Sequence, residues 1–110
     1  MNTMTITEKD NGSTFELRTG DILTLKLESI PGTGYSWYIE KNDNKLMELM
    51  GEHTHEVPKG TTVVGGMEYE VFRLRALASG TNRLELSYKR IWEKEKKPLR
   101  TFLIRVRVKP

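Results

Sequence analysis

Along most of the chain the apolar and polar residues alternate with a period of two. In Asp21 to Ser29, "DILTLKLES", Leu23, Leu25 and Leu27 alternate with Thr24 and Lys26, as in a strand with one buried face. "TNRLELSYKR" repeats the pattern with Leu84, Leu86 and Tyr88. "TFLIRVRVKP" turns Phe102, Ile104, Val106 and Val108 inward and Arg105, Arg107 and Lys109 to water. "EYEVFRLRALASG" alternates through Phe72, Leu74 and Ala76 against Arg73 and Arg75. Tyr69 and Val71 fall on its other face, which predicts a bulge or a two-sided strand.

Shorter strands are predicted at Met4 to Thr7, Thr14 to Leu17, Trp37 to Glu40 and roughly Met50 to Val57. Turn formers separate them: Asn11-Gly12, Thr19-Gly20-Asp21, Asn42-Asp43-Asn44, Pro58-Lys59-Gly60 and Ser79-Gly80-Thr81. The helical candidate is "NKLMELMGE", Asn44 to Glu52, which supports a single turn at most. Seven to eight short strands predict an all-β, immunoglobulin-like β-sandwich, with a small barrel as the alternative. One domain, 1–110, is expected at this length. Three long connections, Ser29 to Ser36, Pro58 to Met67 and Lys89 to Arg100, would emerge at one end of such a sandwich.

Composition narrows the function. Hydrophobic residues at 36% and charged residues at 30% are those of a soluble globular chain. The absence of cysteine excludes disulfides, a thiolate nucleophile and a Cys-based zinc site. No apolar run approaches the roughly 18 residues that span a membrane, so no membrane partner is expected. "MNTMTITEKDNGS" lacks the features of a signal peptide, so the chain as written reads as cytoplasmic. With a leader removed it would be periplasmic, secreted or lysosomal. The net charge of +3 is mild. "KRIWEKEKK", Lys89 to Lys97, concentrates basic charge, but one aromatic is no stacking platform and no nucleic-acid partner is expected.

The connections carry the candidate chemistry. In "IPGTGY", Pro31 fixes one torsion while Gly32 and Gly34 permit positive φ on either side of Thr33. The loop is either a stiff approach to another molecule or a tight turn between sheets. "PKGTTVVGGMEY" also permits close backbone approach at Gly65-Gly66, but a strand pattern follows it, which rules out a phosphate-binding helix start. Its bland reading is a hairpin loop. "YKRIWEKEKKPLR" places Trp92 in a charged segment, as a cap on the core or as a binding anchor. His53 and His55 alternate and could share a strand face, but no third metal ligand is evident, so exposed structural histidines and no metal are expected. There is no nucleophile elbow and no acid/base pair of carboxylates, so no enzyme is expected.

Taken together, the three loops resemble those of the chagasin family of cysteine-protease inhibitors. That family carries "NPTTGY", "GxGG" and "RPW" motifs in this order on an immunoglobulin-like sandwich. The matching stretches here are "IPGTGY" (Ile30 to Tyr35), "VVGG" (Val63 to Gly66) and "RIW" (Arg90 to Trp92), with Ser36-Trp37 following the first. Ile30, Gly32, Val63 and Ile91 depart from the family pattern, and these departures bear on target range and affinity. The resemblance implies a monomeric, cofactor-free, reversible inhibitor of papain-like cysteine proteases that inserts three loops into the active-site cleft. The central loop would be Pro31, Gly32, Thr33, Gly34 and Tyr35, with Thr33 nearest the catalytic cysteine and histidine. Val64, Gly65, Gly66 and Met67 would flank one side. Arg90, Ile91, Trp92 and Glu93 would flank the other, with Trp92 as the main anchor. The alternative is a sandwich that uses the same edge for a carbohydrate or another protein partner.

Overall fold

The structure, a computed structural model, describes residues 2–58 and 66–110. Among the described residues nine strands run in chain order: β1 Thr3–Thr7, β2 Thr14–Arg18, β3 Ile22–Ser29, β4 Ser36–Lys41, β5 Met47–Leu49, β6 Thr54–Glu56, β7 Glu68–Ala76, β8 Gly80–Lys89 and β9 Arg100–Lys109. One sheet has the order β1-β3-β7-β5, with β6 also pairing β7. The other has the order β2-β9-β8-β4. The two outer pairs β1–β3 and β2–β9 are parallel, and the remaining pairs are antiparallel. The expected β-sandwich is therefore present, with nine strands among the described residues rather than seven or eight.

The inward positions read from the alternation form the core. Leu23, Leu25, Leu27, Leu74, Leu84, Ile104 and Val106 are fully buried, and Phe72, Leu86 and Phe102 nearly so. β7 resolves the ambiguity of its sequence as a two-sided strand. It pairs β3 without interruption from Ser29↔Glu68 to Ile22↔Arg75. Val71 is buried on the face opposite Phe72, in register with Lys26 and Thr54.

Two local expectations are corrected. The stretch from Asn44 is not a helical turn at its apolar centre: Met47–Leu49 is a strand. β7 would otherwise present a row of unpaired amides there, and Met47, paired with Ala76, is completely buried. The strand expected over roughly Met50 to Val57 is reduced to Thr54–Glu56. β5 and β6 are two short pieces along one edge of β7, interrupted at Gly51, whose φ is +72°. A 3-10 turn at Glu8–Asp10, which the periodicity did not reveal, links β1 to β2.

Register places the end of β3 beside the start of β7, and the start of β4 beside the end of β8. Ser29 at the end of β3 pairs with Glu68 at the start of β7. Ser36 at the start of β4 pairs with Lys89 at the end of β8. The connection Ile30 to Tyr35 thus crosses from one sheet to the other beside the start of β7 and the end of β8.

Candidate functional site

The Ile30–Tyr35 loop is held by its own hydrogen bonds. The Thr33 hydroxyl donates to the Ile30 carbonyl at 2.7 Å and accepts from the Tyr35 amide at 3.3 Å. Gly32 and Gly34 take φ of +87° and +84°, a region that side chains disfavour. The Ile30 amide donates to the Tyr88 hydroxyl at 3.0 Å, which fastens the loop's first residue to β8.

The loop after β8 packs directly on the first. Arg90 Nε donates to the Thr33 carbonyl at 2.8 Å, and the guanidinium lies 4.5 Å from the Tyr35 ring centre. Glu93 faces Arg90 and Lys96, at 3.7 and 3.1 Å. The Trp92 indole lies over Gly34, so close that a Cβ at position 34 would overlap its six-membered ring. Trp92 is nonetheless 64% exposed, as a binding anchor requires. Arg90 and Glu93 are half-buried struts of the loop rather than free rim charges.

Beneath the loops runs a column of aromatic and cationic groups. Tyr35 stacks on Tyr88 at 5.4 Å, and Tyr88 meets Trp37 at 5.2 Å. Arg100 covers Tyr88 at 4.5 Å while donating to the Glu28 carbonyl and to Glu8. A hollow of about 380 Å³ opens at this end, lined by Ile30, Thr33, Tyr35, Met67, Tyr88 and Leu99 among others. Among the described residues seven large hydrophobic side chains are exposed. Four of them, Ile30, Ile91, Trp92 and Leu99, lie on the connections that follow β3 and β8. An apolar patch gathered on rigid loops marks an interaction surface.

Of the site residues expected from sequence, Pro31 to Tyr35 and Arg90 to Glu93 are brought into one assembly. Met67 borders the hollow beside them, and Gly66 is exposed with φ +68°. Val64 and Gly65 lie outside the described residues. Sequence reading missed Leu99 and Arg100, which have no motif of their own. It also missed Glu70, a fully buried carboxylate that accepts from Ser36 Oγ at 2.7 Å and from the Trp37 amide at 3.1 Å. The available signal was parity, since Glu70 is in phase with the core positions Phe72, Leu74 and Ala76. The two histidines are also unlike the exposed pair expected. His53 stacks on Phe72 at 4.6 Å and lies 3.1 Å from Glu70, while only His55 is well exposed.

The chain is similar to known proteins along most of its length. The family model described as chagasin family peptidase inhibitor I42 matches residues 16–106. Amoebiasin-2 of Entamoeba histolytica is 32% identical over 96 residues, covering 87% of this chain and 77% of that protein. Chagasin of Trypanosoma cruzi is 27% identical over 89 residues, covering 79% and 81%. The crystal structure of the cysteine protease inhibitor EhICP2 from Entamoeba histolytica superposes with a TM-score of 0.87 at 30% identity, covering 98% of this chain and 96% of that one.

Proposed function

The chain belongs to the chagasin family of peptidase inhibitors, and from that membership we infer that it is a reversible inhibitor of papain-family cysteine proteases and not an enzyme. The observation that carries the mechanism is the locking of the Ile30–Tyr35 loop to the Arg90–Glu93 loop through Arg90, Thr33 and Trp92. A protease cleft would meet a surface whose shape is set before binding. Preorganisation lowers the ordering entropy that association costs.

In this reading the Pro31–Gly34 turn enters the cleft at the catalytic cysteine and histidine. Its glycines keep side chains out of the closest approach. Its internal hydrogen bonds keep it from relaxing into the extended form that a protease cleaves. The Thr33 hydroxyl and carbonyl are both engaged within the inhibitor, so the turn blocks by position rather than by offering those groups to the enzyme. Trp92 lies alongside and supplies the largest apolar contact, with Ile91 next to it. Gly66 and Met67 close the other flank. An interface of standard size buries about 1,600 Å² in total.

The test is a steady-state assay with a fluorogenic peptide and a panel of papain, cathepsin L and cathepsin B. The expected result is reversible inhibition of at least one enzyme at nanomolar to low-micromolar concentration, with the inhibitor recovered intact. No inhibition across the panel, or inhibition that decays as the chain is cut, overturns the reading.

A further inference from the structure

We propose that His53, His55 and Glu70 form a binding site for a divalent zinc ion on the edge of the β7 sheet. One donor atom from each of the three lies within 4.8 Å of the others. His53 Nε2 and Glu70 Oε1 are already 3.1 Å apart. Two ligands on one tetrahedral zinc, at bond lengths of about 2.0–2.2 Å, stand roughly 3.3 Å apart, so little movement is needed to admit the ion between them. Two imidazoles and one carboxylate are a ligand set suited to zinc, and water would complete the fourth position.

Strand pairing builds the group. His55 is directly opposite Glu70 in the β6–β7 ladder, so the two side chains project from the same face. His53 immediately precedes β6, its ring centre 5.6 Å from that of His55. Its ring is fixed against Phe72, 4.6 Å away and nearly parallel. The carboxylate is oriented independently by Ser36 Oγ and the Trp37 amide. Glu68 Oε2 lies 3.3 Å from His55 Nδ1. A proton held there leaves Nε2 with its lone pair, the second carboxylate acting as partners of metal-bound histidines commonly do. Zinc ligated by His53 Nε2 would leave Nδ1 of that ring as its N–H donor.

Charge supplies a separate argument. Glu70 is completely buried, and a buried carboxylate is costly without a cation nearby. Among the described residues its ion-pair partner is His53, with no lysine or arginine in reach. A divalent ion would neutralise it and tie the short strand β6 to β7. The ion has a path from solvent, because the His53 and His55 side chains are 30% and 52% exposed.

The chain contains two histidines and no cysteine, which makes the test clean. Tag-free protein is treated with a chelator, then titrated with ZnCl2 by calorimetry and, in parallel, with Co2+ by visible absorption. Saturable binding of one ion per chain at micromolar affinity is expected, with perturbation of both histidine ring signals by NMR. His55→Gln and His53→Gln should each weaken binding at least about tenfold. His55→Gln should keep the wild-type melting temperature in chelator, since its ring is well exposed. Absence of saturable one-to-one binding, or wild-type affinity in a correctly folded His55→Gln variant, overturns the proposal. None of these readouts depends on protease inhibition.

Discussion

Gly34 and Trp92 form a pair whose chemistry neither residue has alone. Gly34 holds φ at +84°, and the space a Cβ would occupy is filled by the indole. Gly34→Ala should therefore displace Trp92 as well as strain the turn. Trp92→Ala is expected to weaken inhibition by about 2–4 kcal/mol, the range of an interface hot spot, with the melting temperature nearly unchanged because the ring is exposed. Inhibition constants for both variants and the double variant should be non-additive, since the second change removes what the first displaces. Strict additivity would mean that the two residues act separately. Asp21 is at the opposite end of the sandwich. Amides of Arg18 and Asn2 donate to its carboxylate at 2.9 and 3.1 Å and hold its pKa below the usual 3.8. The ionised form is thus favoured by folding. This contribution is complete above the usual value and is lost as pH falls through the lowered one. Asp21→Asn should lower stability at neutral pH, and its deficit against wild type should shrink on acidification, as read by denaturant melts across pH, with inhibition untouched.

At the scale of elements, the Ile30–Tyr35 and Arg90–Glu93 loops behave as one because the Arg90 side chain, beside Trp92, spans them. Arg90 leaves the end of β8, stacks on Tyr35 and reaches the Thr33 carbonyl through Nε. Lysine keeps the charge but has neither the planar face nor the fork of donors. Arg90→Lys should raise the inhibition constant about tenfold, in line with loss of one charge-assisted bond of about 1.5–3 kcal/mol. The melting temperature should move by only a few degrees. An unchanged inhibition constant would show that the first loop keeps its shape through Thr33 alone.

For the molecule as a whole, the contact that joins the two sheets at the functional end is polar. Glu70 on β7 receives Ser36 Oγ and the Trp37 amide from β4, and Trp37 Nε1 donates to the Glu28 carbonyl of β3 at 3.0 Å. Glu70→Gln preserves volume but turns one acceptor into a donor that faces buried donors. Leaving such a group unsatisfied costs about 1–3 kcal/mol, so a stability loss of that order is expected in chemical denaturation. A neutral outcome would mean that the bonds from Ser36 and Trp37 to Glu70 contribute nothing to stability.

The sequence alone determined the alternation that buries Leu23, Leu25, Leu27, Phe72, Leu84 and Ile104, and therefore the two-layer architecture. A period of two is a local property, and side chains on a pleated strand have only two faces to choose between. The same holds for the Ile30–Tyr35 connection, because Pro31, Gly32 and Gly34 constrain their own backbone whatever surrounds them. Met47–Leu49 was misread because a short apolar run fits a helical turn as well as an edge strand, and the choice was made by the open edge of β7, distant in sequence. Only the tertiary structure decided that Arg90 is a strut and not a rim charge, that Gly34 makes room for Trp92, and that His53 and His55 meet a buried Glu70. Each of these depends on strand register between segments 15 to 58 residues apart, and register is a property of pairing, which no local pattern encodes.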